Sequence, residues 1–413
     1  MKTLSEIDAK IRNGTAVVYT AAEFKRLIRE GAEVTAAEVD VVTTGTCGVM
    51  SGTAAILSVP VAAPGTFERA ERAWLNGVPC LPGPCPNERL GLLDVIVSGT
   101  AHAGAGYGGG HLFREIVEGQ EIEVVVEAAD RSIEVKATID DFAHARLFTT
   151  RSAFRNYTAY LNTQPTRVKT IFSVTGLEGP CREASVSGCG EINPLENDPA
   201  RLAIRDGTPV FLNGSAGLVT GEGTRSTPER PNITVIADMA GMQPRYMGGF
   251  ATSAGPECIT SLGVAIPVLD DRQVAALRVL DEEILLLVAD INTRNILGEA
   301  TYADVWQRPD REVTYNPGWC EECSTCAAAA VCPTGAFSRE TGIDRDRCLA
   351  CIACLAACQN DAFEAGEGSL RVRGRKVPIT LRQSGRTLAE DLCRDLKERI
   401  LDGRFTFTGG GGR

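Results

Sequence analysis

Along the first thirty residues apolar positions recur every three or four: Ile7 and Ile11, then Phe24, Leu27 and Ile28. Each set follows a capping box, Thr3-x-x-Glu6 or Thr20-x-x-Glu23, and is closed by Gly14 or Gly31, so the pattern predicts two short helices. A third box, Thr35-x-x-Glu38, runs into VDVVTTGT, whose β-branched density predicts a strand instead. Further strands are expected at 94–98, 121–128 and 132–139, and in a hairpin over 209–221 where Asn213-Gly214 supplies the turn. Val274, Leu277, Leu280, Ile284 and Leu287 keep helical spacing and predict a core-facing helix from Asp271 to about Leu297. Beyond the basic, strand-like SLRVRGRKVPITLRQ, a last helix is expected from Thr387-x-x-Glu390. Leu388, Leu392, Leu396 and Ile400 line one face of it, with Cys393 packed beside them.

No βαβ period is evident, and the fold class expected is α+β. Residues 1–305 read as one large mixed α/β domain rich in glycine turns, 314–366 as a cysteine-rich module, and 367–413 as a strand and helix extension. WQRPDREVTYNPG (306–318) reads as the linker. YGGGH (107–111) lacks the spacing and the downstream acid of a dinucleotide fingerprint. The net charge of −11 offers no general field for nucleic acid or an anionic membrane, so an anionic ligand must be met by local arginines. MKTLSEIDAKIRNG carries no apolar leader core, and no apolar run approaches the roughly 18 residues of a spanning helix. A cytoplasmic location is expected, and a homo-oligomer is compatible with all of this.

In such a compartment fifteen cysteines point to metal ligation or sulfur chemistry rather than disulfides. Nine follow residue 319, and eight of these form two runs: Cys320-x2-Cys323-x2-Cys326-x5-Cys332-Pro and Cys348-x2-Cys351-x2-Cys354-x3-Cys358. Each x2 spacing lets a turn aim successive thiolates at one iron–sulfur cube, while the distal fourth cysteine serves the other cube. The expected sets are Cys320, Cys323, Cys326 with Cys358, and Cys348, Cys351, Cys354 with Cys332, holding two [4Fe–4S] clusters. CPTGAF echoed by CQNDAF marks the halves as a repeat, with Gln359 where proline is usual. Zinc is the alternative, but zinc knuckles use two CxxC pairs across a longer loop. The module resembles a bacterial-type ferredoxin.

Six cysteines lie earlier. Cys47, in TTGTCGVMSGT, follows a strand among small residues where backbone N–H groups lower a thiol's pKa, and is a candidate nucleophile; a buried small hydrophobe is the alternative. Cys189, in SVSGCGEINPLENDP, is a second candidate sulfur carrier. Cys80 and Cys85 frame a proline loop that suits a metal, a transient disulfide or structure alone, and Cys181 and Cys258 carry weaker signals. For anion binding the candidates are Arg225, Arg230, Arg151, Arg155 and Arg245, whose guanidinium forks match carboxylate or sulfonate oxygens. His111, one of three histidines, is flanked by glycine, an environment that suggests access; a satisfied structural histidine is the alternative.

VVTTGTCGVMSGT, WLNGVP, YGGGH, SGCGEINPLENDP, FLNGSAGLVTGEGTRS and YMGGFATSAGPECITSLGVAIPVLD together resemble the homocysteine-biosynthesis family of anaerobes, over nearly the whole chain. The fused ferredoxin module is similar to the branch called methanogenesis marker protein 16. The resemblance implies an iron–sulfur-dependent sulfurtransferase that converts a small anionic aldehyde to a thiol. The expected reaction is sulfoacetaldehyde to coenzyme M (2-mercaptoethanesulfonate), with aspartate semialdehyde to homocysteine as the alternative. A sulfur donor (sulfide or persulfide) and a low-potential electron donor are the implied partners, with Cys47 as sulfur carrier assisted by Cys189. In the homocysteine branch sulfur transfer is associated with cysteines where this chain has Ser51 and EAADRS, so the carrier is placed differently here. A corrinoid or radical reductase lacks its motifs in this sequence. An electron-transfer or metallocluster-assembly protein stays open.

Overall fold

The computed structural model describes residues 1–83, 87–155, 157–306, 312–321 and 323–408. Both early capping boxes close as expected, over helices Leu4–Arg12 and Ala21–Arg29. At Thr35 the backbone N–H bonds the Glu38 carboxylate at 2.9 Å, but the chain only turns there before entering strand Val41–Val49. The strand is buried along nearly its whole length, as suits a strand covered on both faces.

Among the described residues this strand belongs to a sheet of fourteen. Val18–Thr20 runs parallel on one side of it and the long strand Gly255–Pro267 antiparallel on the other. The helix Ala21–Arg29 crosses between Val18–Thr20 and Val41–Val49, a βαβ unit that the three-residue first strand concealed in the sequence. The sheet continues through the hairpin Pro209–Leu212/Ser215–Glu222, whose Asn213 and Gly214 both have positive φ, and ends at the antiparallel pair Ile122–Ala128/Arg131–Ala137.

A second sheet of six strands has the order Ile296–Thr301, Leu285–Asp290, Thr158–Leu161, Ala184–Val186, Arg375–Arg382, Ser369–Val372. Its membership cuts across a division at 305, 314–366 and 367. Arg375–Arg382, from beyond the cysteine module, pairs in parallel with Ala184–Val186 of the long N-terminal region. The final helix, Arg386–Leu401, lies on Val41–Val49 and Gly255–Pro267. It sits so close that a Cβ on Gly45 would come within 2.7 Å of the Ala389 carbonyl oxygen and 2.8 Å of the Cys393 sulfur. This strand and helix therefore complete the core rather than append to it. The helix starts at Arg386 with Gly385 at its N-cap, not at the Thr387 box, and Cys393 is buried beneath it as the apolar face required.

The helix expected from Asp271 to about Leu297 ends at Leu277. ILLLVAD forms strand Leu285–Asp290 instead, hairpinned to Ile296–Thr301. A short continuous apolar run fits either element by periodicity. The turn chemistry decides: the Asp290 carboxylate accepts from the backbone N–H groups of Asn292 and Thr293 at 3.2 and 2.8 Å. Among the described residues no helix is long and apolar enough to cross a membrane.

Candidate functional site

Between the two sheets opens a cleft of about 540 Å³. Val49, Met50 and Ser51, at the end of the strand that carries Cys47, form part of its floor with Ser187 and Gln383. Phe154, Tyr157, Tyr160 and Phe172 supply aromatic walls. Four guanidinium groups reach it: Arg151, Arg225 and Arg230, all expected, and Arg294, which was not. Arg294 lies on the hairpin turn of the second sheet, stacked over Tyr160 at 4.5 Å. The polar run DINTRN was the signal that could have placed it on a turn. Arg225 and Arg294 hold left-handed backbone, φ +63° and +62°, a strained conformation often retained at ligand sites.

Among the described residues none of these four arginines forms an ion pair, and no carboxylate lines the cleft. The Arg151 Nε is buried without a hydrogen-bond partner. Burial, and then the like charge of Arg225, push Arg151 below its usual pKa. A bound anion would relieve both penalties, so the arrangement selects negative charge.

Three expected candidates lie elsewhere. Arg155 turns to Glu196, Nε to Oε2 at 3.0 Å, and Arg245 pairs with Asp391 at 2.5 Å. His111 opens helix Gly109–Val117 and lines a separate small crevice with Arg114, Glu118, Thr334 and Arg347. Its Nδ1 accepts from the Gly108 N–H at 3.3 Å, and burial, with Arg347 adding to it, lowers the imidazole to about 4. The glycines of YGGGH are packing residues: a Cβ on Gly110 would come within 2.7 Å of the Gly248 carbonyl oxygen.

Under the cleft floor lie the two candidate thiols. Cys47 faces Ser261 across the sheet, and Cys189 sits in a turn between Gly188 (φ +105°) and Gly190 (φ +60°), positions that favour glycine. The structure brings the two together: the Cys189 thiol points at the Cys47 carbonyl oxygen at 3.6 Å, and the Thr46 hydroxyl at the Cys189 sulfur at 3.7 Å. Both are fully buried. The expectation of a lowered Cys47 pKa is corrected: burial pushes it up to about 12, and raises Cys189 as well. Backbone amides of a central strand are committed to their sheet partners, and the lowering contacts from Ser261 and the Gly385 N–H do not offset the burial of Cys47. The phenol of Tyr157, within electrostatic reach of Cys189 and Arg151, also lines the cleft, and burial raises it too.

The eight cysteines of the module gather in two fours. Cys320, Cys323, Cys326 and Cys358 line one cavity of about 200 Å³, roofed by Tyr315, Phe337 and Phe363. That is several times the roughly 30 Å³ of a water molecule, so the thiols frame room for a polyatomic group rather than one ion. Cys332, Cys348, Cys351 and Cys354 lie within electrostatic reach of one another. Four soft donors around an apolar cavity fit an iron–sulfur cluster. Cys80 is half-buried with its thiol on the Val78 carbonyl oxygen at 3.3 Å, and Cys258 is buried against Gly99 and Gly110. Cys181 is half-buried in left-handed backbone. Cys85 lies outside the described residues.

A buried thiol pair near an arginine-rich cleft, joined to a module of two cysteine quartets, is an arrangement that suits sulfur chemistry. The chain belongs to the homocysteine biosynthesis, sulfur-incorporation, enzyme family, whose profile matches residues 16–407. An uncharacterized protein of Methanothermobacter thermautotrophicus is 46% identical over 97% of this chain and 94% of its own. The L-aspartate semialdehyde sulfurtransferase of Methanocaldococcus jannaschii is 30% identical over 70% of this chain, which spans 58% of that enzyme. The cysteine-rich C-terminal region accounts for partial matches such as a Halobacterium salinarum protein described as the iron–sulfur component of a dimethyl sulfoxide reductase. That protein is 40% identical over 22% of this chain and 36% of its own. No solved structure matches the chain at a significant level.

Proposed function

We propose that the protein inserts sulfur into a small anionic aldehyde and reduces the product to a thiol, with sulfoacetaldehyde, the precursor of coenzyme M, as the aldehyde. The observation that carries this reading is the composition of the cleft: among the described residues, four guanidinium groups without an ion pair and no carboxylate. A sulfonate is met by such a surface, whereas the α-ammonium of aspartate semialdehyde finds no carboxylate there. Aspartate semialdehyde is the second reading, favoured by the name of the M. jannaschii relative.

The balance of the reaction explains both the thiol pair and the module. With a persulfide donor, the aldehyde R–CHO takes one sulfur, four electrons and four protons to give R–CH2–SH and water. The donor passes sulfur to Cys47, whose persulfide adds to the carbonyl carbon while Arg151 and Arg294 hold the anionic tail. Cys189 then attacks the Cys47 sulfur. The bond between the two sulfurs of the adduct breaks, R–CH(OH)–SH leaves, and a Cys47–Cys189 disulfide remains. Loss of water gives the thioaldehyde, which consumes two electrons and two protons; the disulfide consumes the other two of each. Tyr157, protonated, lines the cleft within electrostatic reach of Cys189 and is placed to donate to the carbonyl oxygen. Two [4Fe–4S] clusters held by Cys320, Cys323, Cys326 and Cys358, and by Cys332, Cys348, Cys351 and Cys354, would supply electrons one at a time.

The test is turnover of cluster-reconstituted protein with each aldehyde, a sulfur donor and a low-potential reductant. 2-Mercaptoethanesulfonate from sulfoacetaldehyde is the expected product. Homocysteine alone would select the second reading, and no thiol from either aldehyde would remove both.

A further inference from the structure

Between strand Arg375–Arg382 and helix Arg386–Leu401 the chain makes a short buried strap, Arg382-Gln383-Ser384-Gly385. At one end the Arg382 N–H donates to the Cys351 carbonyl oxygen at 3.0 Å; at the other the Gly385 N–H donates to that of Cys47 at 3.1 Å. Between them, the Gln383 carbonyl accepts from the Val49 N–H at 2.9 Å, and the Ser384 hydroxyl from the N–H of Gly188, next to Cys189, at 2.7 Å. Three peptide steps span at most about 11 Å of extended chain.

We infer that this strap is the connection through which electrons pass from the quartet Cys332, Cys348, Cys351 and Cys354 to the Cys47–Cys189 pair. The quartet Cys320, Cys323, Cys326 and Cys358 is then the outer one, which receives them from a low-potential one-electron carrier. The inference rests on the proposed function. Three observations favour this order. Cys351, with Leu349 and Ala353, packs in the same apolar cluster as Cys47 and Cys189, a place no member of the other quartet shares: Cys320, Cys326 and Cys358 lie, with Cys332 and Cys354, against a different cluster, and Cys323 is exposed. The strap is held tightly from both sides: a Cβ on Gly385 would stand 2.9 Å from the Leu349 side chain and 3.0 Å from its carbonyl oxygen, and one on Gly48 would stand 2.6 Å from that of Gln383. Arg382, Gln383 and Ser384 are each at most 3% exposed, so the path is buried. The step served is the opening of the Cys47–Cys189 disulfide, which takes two electrons, arriving singly, and two protons.

The experiment starts from cluster-reconstituted protein with that disulfide formed and no aldehyde present. A reduced viologen is added, bleaching of the iron–sulfur absorbance is followed, and quenched samples are alkylated so that mass spectrometry counts free Cys47 and Cys189. In Gly385→Ala, bleaching should keep its wild-type rate while the two thiols appear tenfold to a hundredfold more slowly, the scale of roughly an ångström of misplacement. Ser384→Ala, which keeps the packing and removes one acceptor, should slow thiol recovery a few-fold. Thiols recovered at the wild-type rate in both variants would overturn the strap as the route. Wild-type protein in which Cys47 and Cys189 never pair would overturn the proposed function and this inference with it, an outcome visible without any variant.

Discussion

Two groups of arginines in this molecule are built in opposite ways. Arg151, Arg225, Arg230 and Arg294 converge on a cleft without an acidic partner among the described residues. Arg386 and Arg29, by contrast, are spent on acids. Arg386 is 1% exposed and bonds Asp281 at 2.5 Å and Glu191 at 2.9 Å, while Arg29 makes a bidentate pair with Glu191 at 2.7 and 2.6 Å. Glu191 and Asp281 also trade backbone bonds, each carboxylate accepting the other's N–H at 2.8 and 2.9 Å. The satisfied group fixes the Cys189 turn, two residues before Glu191. The other group leaves positive charge on the cleft, where the proposed function sets an anionic substrate. Charge that the fold neutralises fixes architecture, and charge that it leaves open marks a candidate binding site.

The largest effect expected from breaking this contrast comes at Arg386. Arg386→Met leaves Glu191 and Asp281 facing each other with one cation gone, and should lower unfolding free energy by about 3–5 kcal/mol in denaturant titration. Adding Glu191→Gln and Asp281→Asn to it should restore most of that loss, because the penalty belongs to uncompensated charge.

Acid provides a second, smaller test. Burial alone would raise Glu191, but the hydrogen bonds from Arg29 and the charge of Arg386 outweigh it and hold the carboxyl at about 2. A carboxyl lowered on folding adds stability that is complete above its ordinary value of 4.5 and lost as pH falls toward 2. The loss should reach at most about 3 kcal/mol. Asp281, pushed up chiefly by burial, titrates in the opposite sense and offsets part of it. Unfolding titrations at pH 5 and pH 3, compared with Glu191→Gln, check the sign: the variant should lose less than the wild type.

Much of this contrast was legible in the sequence, but unevenly. The cysteine spacings alone divided eight thiols into the two quartets that the structure gathers, because each spacing is a local geometric constraint. Arg151, Arg225 and Arg230 could be nominated as forks for an anion, yet Arg155 looked the same on paper and is committed to Glu196. Pairing depends on residues forty or more positions away, which no local pattern encodes. Arg294 was lost inside an apolar run misread as helix, since the strand Leu285–Asp290 is covered by sheet partners that only the tertiary fold supplies. The burial of Cys47 was hidden for a related reason: the helix that covers its strand lies some 340 residues downstream.

The contrast sharpens most at its smallest effect, where exposed Arg294 and half-buried Arg155 answer differently. Arg294→Ala removes a guanidinium that faces the cleft, solvent and the rings of Tyr160 and Phe172. Stability should stay within about 0.5 kcal/mol of wild type. KM for the anionic aldehyde should rise about tenfold or more, since a hydrogen bond to a charged group is worth roughly 1.5–3 kcal/mol. The rise in KM with added salt should be shallower in the variant, because one fewer cation is left to screen. Arg155→Ala should invert the pattern. It strands Glu196, a carboxyl that burial already pushes upward, so thermal unfolding moves to lower temperature while KM and its salt dependence hold. Parallel unfolding curves and salt-dependent kinetics on the two variants decide the matter. If both raised KM alike, the division between structural and ligand-facing arginines would fail.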